Sequence, residues 1–199
     1  MTSLPRFYPI FDSAAWVLRA LPMGAKFIQL RVKDQPPGVI RAEIRAARGL
    51  CQEYGATLVV NDYWQIAIEE DCDWVHLGQE DLDTADVKAL RDAGIKVGLS
   101  THDKAELERA LSFAPDYVAL GPVYPTILKK MKWHEQGLDR VREWKHLIGT
   151  IPLVAIGGMT VERAPGAFEA GADLVSVVTD ITLNPAPEAR MGQWVEVCA

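Results

Sequence analysis

Eight short apolar runs recur along this chain, and their repetition limits the fold more than any other feature of the sequence. The runs lie at residues 7–11, 27–30, 57–60, 74–77, 96–99, 117–120, 153–156 and 174–178. Segments with helix-forming residues and an apolar period of 3.6 fill most of the intervals, at 39–54, 87–92, 104–112, 138–147 and 161–170. Alternating strands and helices of this kind predict a parallel sheet.

Eight strand–helix units predict a closed (β/α)8 barrel, the TIM-barrel fold, with a single domain over residues 1–199. Three predicted helices end alike, at Gly55, Gly94 and Gly171, where glycine can take the left-handed conformation that turns the chain into the next strand. A chain of 199 residues is short for this fold, so the long connection at 121–137 is a predicted active-site loop. An open doubly wound sheet is the alternative, but no Gly-x-Gly-x-x-Gly fingerprint follows the first strand.

Composition and charge favour a small-molecule ligand. The formal net charge is −6, and the basic residues are scattered apart from a cluster at 129–132, so we expect no nucleic-acid partner. The first residues lack the pattern of a leader, and no run is long enough to cross a bilayer, so we expect a cytoplasmic protein without a membrane partner. Three cysteines without metal-ligand spacing are expected to stay reduced. Assembly with further copies of the chain is left open.

Two acidic residues follow consecutive apolar runs. Asn61 and Asp62 end the third run, and Asp81 follows the fourth, with helical spacing between the two runs. Two strands joined by a helix lie parallel, so both carboxylates leave the sheet at one edge. Convergent carboxylates beside an amide are hard oxygen ligands that suit Mg²⁺. Taken singly, Asn61-Asp62 also fits a turn with a helix cap, and Asp81 also fits a solvated loop acid; the pairing favours the metal site.

Basic residues and glycines are expected at the same edge of the barrel. Gln29, Arg31 and Lys33 lie on one side of the chain after the second run, and Lys129 lies in the long loop. Such cations, facing Mg²⁺, would hold a diphosphate and stabilise it as a leaving group. The pair at 157–158 and Thr179 follow the last two strands, where barrels commonly bind a second phosphate. Each feature alone also fits a turn, a solvated charge or a surface ion pair.

The histidines are not expected to do chemistry. His76 lies within a strand and is predicted to be a hydrogen-bonded core residue. His102 is near enough to Ser100 to suggest a base and a nucleophile, but no nucleophile elbow surrounds them, and we do not favour that interpretation. His134 and His146 are predicted to lie at the surface.

A series of motifs resembles the thiamine phosphate synthase (thiamine-phosphate pyrophosphorylase) family. The motifs are QLRVKD at 29–34, VVND at 59–62, VHLGQEDL at 75–82, GLSTHD at 98–103, DYVALGPVYPT at 116–126, IPLVAIGGM at 151–159 and GADLVSVV at 171–178. The resemblance implies a Mg²⁺-dependent transferase that joins hydroxymethylpyrimidine diphosphate to thiazole phosphate, forming thiamine phosphate and pyrophosphate. It implies a dissociative mechanism, in which diphosphate leaves before the thiazole nitrogen attacks, so no protein nucleophile is needed.

The resemblance also assigns residues. It implies Mg²⁺ ligands at Asp62 and Asp81, and catalytic contacts to the diphosphate from Arg31, Lys33, Ser100 and Lys129. The implied site for the pyrimidine diphosphate comprises Gln29, Leu30, Arg31, Val32, Lys33, Asn61, Ser100 and Lys129. The implied site for the thiazole phosphate comprises Thr126, Ile127, Leu128, Gly158, Val178 and Thr179.

Three residues depart from the family pattern. Leu128 stands where a hydroxyl residue is common, which removes a hydrogen bond worth about 1 kcal/mol. Val32 stands where an acid is frequent, with its side chain expected to point away from the anion, and Thr179 replaces a usual serine but keeps the hydroxyl. Leu128 motivates the alternative function, a barrel that binds thiazole phosphate without coupling it, either as a regulatory module or as an isomerase like the thiazole tautomerases. The cationic residues and the acid pair argue for the transferase.

Overall fold

Eight parallel strands close into a barrel in the order of the sequence, in a computed structural model that describes residues 4–126 and 134–199. The strands are β1 (Phe7–Phe11), β2 (Phe27–Leu30), β3 (Thr57–Asn61), β4 (Trp74–Leu77), β5 (Lys96–Thr101), β6 (Tyr117–Leu120), β7 (Leu153–Ile156) and β8 (Leu174–Val177). Each strand pairs with the next, and β8 pairs with β1, with Tyr8 opposite Ser176. The predicted (β/α)8 barrel is confirmed.

Helices cover the outside of the barrel. They are α1 (Ala14–Ala20), α2 (Pro37–Glu53), α3 (Trp64–Glu69), α4 (Val87–Asp92), α5 (Lys104–Ser112), α6 (Gly137–Ile148), α7 (Ala164–Glu169), α8 (Thr179–Thr182) and α9 (Pro187–Val197). A single 3₁₀ turn, Asp81–Asp83, precedes α4. Within the described residues, no helix combines the length and the apolar character that a bilayer crossing requires.

Most predicted boundaries agree with the structure to within three residues, and the differences have local causes. β3 and β5 run one and two residues further than the apolar runs, so that Asn61 and Ser100 are strand residues. The predicted helix at 161–170 begins only at Ala164, since a turn precedes it and a proline occupies its first turn. The seven-residue helix α1 was not predicted, although it buries Ala14, Val17 and Ala20 at helical spacing.

The strands separate two apolar layers. The outer layer lies between the strands and the helices and includes Val118 and Leu120 of β6. The inner layer fills the barrel and includes Tyr117 and Ala119 of the same strand. Successive side chains of a strand point to opposite faces, so seven of the strands contribute apolar side chains to both layers, while β5 places Gly98 and Ser100 inside the barrel.

Gly98, in the middle of β5, makes room for an aromatic ring of the inner layer. A Cβ atom at this position would lie 1.9 Å from Cζ of Tyr117. Any side chain at residue 98 would displace that ring, so the glycine is a packing requirement inside the strand.

Candidate active site

A cavity of about 620 Å³ opens at the carboxyl ends of the strands. Every strand contributes to its wall, through Tyr8, Gln29, Asn61, His76, Ser100, Ala119, Val154, Ile156 and Ser176. The loops that follow the strands add residues at its rim. This is the end of the barrel at which the fold places its chemistry.

Asp62 and Asp81 lie together at the rim, as the sequence predicts. Asp62 directly follows β3 in the left-handed conformation, with φ of 63°. Asp81 accepts a hydrogen bond of 2.9 Å from the backbone N–H of Gly78. Burial raises the pKa of Asp81, and the neighbouring negative charge of Asp62 raises it further. Lys33 forms an ion pair with Asp62.

The acid pair fits a divalent cation. Two adjacent carboxylates repel one another, and a bound cation would relieve that repulsion. The described residues contain no group of three or more His, Cys, Asp or Glu side chains arranged for a metal. The pair would therefore supply only part of a coordination shell. Mg²⁺ suits such a site, because it commonly takes one or two carboxylates and completes its shell with water and phosphate oxygens.

The basic side of the cavity comes from the end of β2. Arg31 and Lys33 both line the cavity, and the backbone N–H of Arg31 donates to the Phe11 carbonyl at 2.7 Å. Leu30 and Val32 have side chains buried in the outer layer, and neither lines this cavity. The side chain of Val32 thus packs in the outer layer and points away from this cavity. Leu30 could therefore contact a ligand in the cavity only through its backbone.

The glycines after β7 allow two loops to touch. Gly157 and Gly158 have φ of 94° and 63°, and a Cβ at Gly158 would lie 2.3 Å from the Pro125 carbonyl oxygen. Gly157, Thr126 and Val178 line the cavity. Gly158 and Thr179 do not line it but are sequence neighbours of residues that do, and Thr179 begins α8. Ile127, Leu128 and Lys129 lie outside the described residues.

A chain of five buried or half-buried side chains crosses the inside of the barrel. Gln29 Nε2 donates to Tyr8 Oη at 2.7 Å, and Tyr8 Oη lies 2.7 Å from Tyr117 Oη. Tyr117 Oη lies 2.7 Å from His76 Nδ1, and His76 Nε2 lies 2.8 Å from Ser100 Oγ. His76 is thus the hydrogen-bonded core residue that was predicted, and it also lines the cavity.

Burial shifts the acidity of three groups in this chain. It lowers the pKa of His76 to about 4, with Asp62 and Arg31 as weaker influences. It also raises the pKa of Tyr8 and of Tyr117 above the ordinary range. All three side chains are therefore neutral near pH 7.

The sequence did not single out Tyr8 and Tyr117, although it carries a signal for both. Each occupies an inward position in an apolar run with alternating faces, and Gly98 lies where a ring must fit. Ser100 pairs with His76 and not with His102, whose Nδ1 lies 2.7 Å from Oε2 of Glu106. The geometry therefore does not support the Ser100–His102 pair.

Three buried polar atoms of the cavity wall have no hydrogen-bond partner within the described residues. They are Nδ2 of Asn61, Oε1 of Gln79 and Oγ of Ser176. Buried polar groups are nearly always satisfied in proteins, so unsatisfied ones at a cavity wall indicate contacts to a ligand or to water. The inner wall can therefore both donate and accept hydrogen bonds.

Comparisons with known proteins agree with this geometry. The family described as thiamine monophosphate synthase matches residues 7–181. The thiamine-phosphate synthase of Rhizobium etli is 59% identical over 98% of this chain and 96% of its own length. That of Cronobacter sakazakii is 46% identical over 89% of this chain and 85% of its own.

A solved structure supports the same relationship. The thiamine phosphate pyrophosphorylase of Pyrococcus furiosus superposes with a TM-score of 0.86 and 27% identity, covering 97% of this chain and 95% of that one. The sequence match, the shared fold and the acidic and basic rim agree. The chain belongs to the thiamine monophosphate synthase family.

Proposed function

We propose that this protein condenses 4-amino-2-methyl-5-hydroxymethylpyrimidine diphosphate with thiazole phosphate, releasing pyrophosphate and forming thiamine phosphate with the help of Mg²⁺. The observation that carries the proposal is the meeting of Asp62 and Asp81 with Arg31 and Lys33 at one rim of the cavity. A diphosphate leaving group needs both a metal and cations around it.

The reaction breaks the bond between the pyrimidine methylene carbon and the diphosphate oxygen, and then forms a bond from that carbon to the thiazole nitrogen. Negative charge grows on the departing oxygen, and Arg31 and Lys33 stabilise it. Asp62 and Asp81 would hold Mg²⁺, which supplies Lewis-acid stabilisation of the same charge when it is bound. Asn61 and Ser100 orient the pyrimidine substrate, and no protein nucleophile takes part.

The second substrate would occupy the side of the cavity formed after β6, β7 and β8. Thr126, Gly158, Val178 and Thr179 are assigned to the thiazole phosphate, together with Ile127 and Leu128. Glycine at 157 and 158 leaves no side chain at this side of the cavity, and Gly157 lines it, which would allow a phosphate to approach the backbone. Lys129 is assigned to the diphosphate.

One assay tests the overall reaction. Purified protein supplied with both substrates and Mg²⁺ should form thiamine phosphate and pyrophosphate in equal amounts, measured by chromatography and by a phosphate-release assay. EDTA should stop the reaction and excess Mg²⁺ should restore it. Turnover that continues undiminished in EDTA would rule out the metal role.

A matched pair of variants tests the acid pair. Asp81→Asn should lower kcat/KM on the order of a hundredfold and raise the Mg²⁺ concentration needed for half-maximal activity, because one oxygen ligand loses its charge. Asp83→Asn is the control, since Asp83 belongs to the same 3₁₀ turn but pairs with Arg109 and does not line the cavity. Equal losses in the two variants would contradict the assignment.

Binding of thiazole phosphate without coupling is not favoured. A barrel of that kind has no use for an acid pair facing Arg31 and Lys33. The relatives reported above are also named as synthases.

We also infer that the chain works as one domain in the cytoplasm. Cys51, Cys72 and Cys198 are all unpaired and buried, and burial raises the pKa of each thiol. Unpaired thiols are typical of proteins from a reducing compartment.

A further inference from the structure

We propose that the buried hydrogen bonds from Gln29 to Ser100 all run in one direction, so that His76 carries its proton on Nε2 and Ser100 donates its hydroxyl proton to the substrate. His76 is then a positioning residue that acts through Ser100. The identity of the ligand in this inference rests on the proposed function. The direction of the hydrogen bonds does not.

The direction is set at the glutamine end. An amide nitrogen only donates, so Tyr8 Oη accepts from Gln29 Nε2. Within the described part of the chain, Tyr117 Oη is the one acceptor left for the proton of Tyr8. If Tyr117 donated to Tyr8 instead, the Tyr8 proton would be buried without a partner, which is costly.

The direction of these hydrogen bonds also fixes the proton of the imidazole. Having accepted from Tyr8, Tyr117 directs its own proton to the remaining neighbour, His76 Nδ1. Both ring nitrogens of His76 face hydroxyl groups, and neither has a carboxylate as its hydrogen-bond partner. A neutral ring that accepts at Nδ1 must carry its proton at Nε2, and it donates that proton to Ser100 Oγ.

Ser100 is left with one free proton, which points toward the cavity. The residue is held on a second side, because its carbonyl accepts from Gln79 Nε2 at 2.7 Å. The hydroxyl is therefore oriented before a ligand arrives, and it offers a donor to an oxygen or a ring nitrogen of the pyrimidine diphosphate.

This arrangement also prevents Ser100 from acting as a nucleophile. A nucleophilic serine needs a base that can take its proton. In the proposed direction, the nearest imidazole nitrogen already carries a proton and donates it to the serine oxygen. The serine and histidine thus serve binding and orientation, in agreement with a reaction that needs no covalent enzyme intermediate.

Packing holds the hydrogen-bonded side chains between Gln29 and Ser100 in place. The Tyr117 ring lies against Gly98, where a Cβ atom would clash at 1.9 Å. The same ring stacks on His76 with a centroid distance of 5.6 Å and meets Tyr8 edge to face at 5.8 Å. The hydrogen-bonded side chains are therefore part of the barrel core. Removal of a single hydroxyl should alter the hydrogen bonds more than the packing.

The test is a measurement of the His76 tautomer by NMR of the intact protein labelled with ¹⁵N-histidine. The chain has four histidines, and loss of a signal in His76→Gln identifies the one from His76. We expect the free protein to show the proton on Nε2. A proton on Nδ1 would mean that His76 donates to Tyr117, and it would overturn the proposal.

Two variants that each lose one phenolic hydroxyl sharpen the test. Tyr8→Phe should keep the tautomer, because Tyr117 still donates to Nδ1. Tyr117→Phe removes that donor and leaves the Nδ1 lone pair without its hydrogen bond, so the ¹⁵N signal of Nδ1 should shift, and kcat should fall about tenfold below that of Tyr8→Phe with little change in KM. An unchanged Nδ1 signal and identical kcat values in the two variants would refute the proposal. Wild-type protein with Nε2–H that forms no thiamine phosphate would refute the proposed function and leave the direction of the chain supported.

Discussion

The inner and outer layers of the barrel are built from the same eight strands but differ in chemistry. The outer layer is apolar, as Leu99 and Val118 illustrate, and it packs the strands against the helices. The inner layer combines aromatic rings with hydroxyl, amide and imidazole groups, several of which are bonded to one another. Adjacent residues such as Leu99 and Ser100 therefore lie in different environments.

Stability and chemistry thus depend on alternate residues of each strand. Outward residues stabilise the fold through burial. Inward residues near the carboxyl ends are available for binding, since the outer layer already holds the strands together. Substitutions at inward and outward residues of one strand should therefore have separable effects.

The largest effect on stability and activity is expected at Gly98, an inward position on which both the packing of the barrel and the hydrogen bonds of Tyr117 depend. Gly98→Ala places a Cβ atom 1.9 Å from the Tyr117 ring, so the ring or the strand must move. We expect the free energy of unfolding to fall by about 3 kcal/mol or more, with loss of most of the activity. Chemical denaturation and the synthase assay measure the two effects.

Gly49→Ala is the matched control for that variant. Gly49 lies inside α2, and nothing lies within 4 Å of a Cβ added there. The change should stabilise the protein by roughly 0.5–1 kcal/mol, because alanine favours a helix. A similar loss of stability in both glycine variants would contradict the claim that Gly98 is required for packing of the Tyr117 ring.

Two neighbouring residues of β5 should show opposite effects. Leu99→Ala leaves a cavity in the outer layer and should lower the free energy of unfolding by about 3 kcal/mol, with kcat retained. Ser100→Ala should lower kcat about a hundredfold, because a donor to the substrate is lost, while the free energy of unfolding falls by only about 1–2 kcal/mol, because the buried Nε2 proton of His76 loses its acceptor. Denaturation curves and steady-state kinetics on both variants measure the two quantities. Equal effects of the two substitutions on stability and on kcat would contradict the separation of inward and outward roles.

The smallest effect is expected at Ser176, whose buried hydroxyl has no hydrogen-bond partner in the described residues. Ser176→Ala removes an unsatisfied polar atom, so stability should stay the same or rise by up to about 1 kcal/mol. The KM for one of the two substrates should increase if the hydroxyl serves a ligand. A clear loss of stability would show that the hydroxyl has a structural partner.

The fold could be predicted well because its signals are local. Short apolar runs and helical periods alternate along the chain, and glycines such as Gly55 and Gly94 mark the turns between them. The helix α1 was not predicted, although its buried residues Ala14, Val17 and Ala20 have helical spacing. α9 follows the last strand and has no place in a simple count of eight units.

The site could be predicted only in part. The sequence predicts four residues of the rim, because each follows an apolar run and parallel strands bring such residues to one edge: Asp62, Asp81, Arg31 and Lys33. The series of hydrogen bonds through Tyr117 could not be predicted. Its five members come from five different strands, and their contacts depend on how the strands are aligned in three dimensions. Leu30 shows the reverse case: a motif includes it, but its side chain packs in the outer layer.

The aromatic rings of Phe27, Trp74 and Tyr117 fill the inside of the barrel beneath the cavity. Within the described residues, the cavity is therefore closed below by these rings and opens at the rim. Substrates and products of the proposed reaction would pass through the same mouth, beside Asp62 and Arg31.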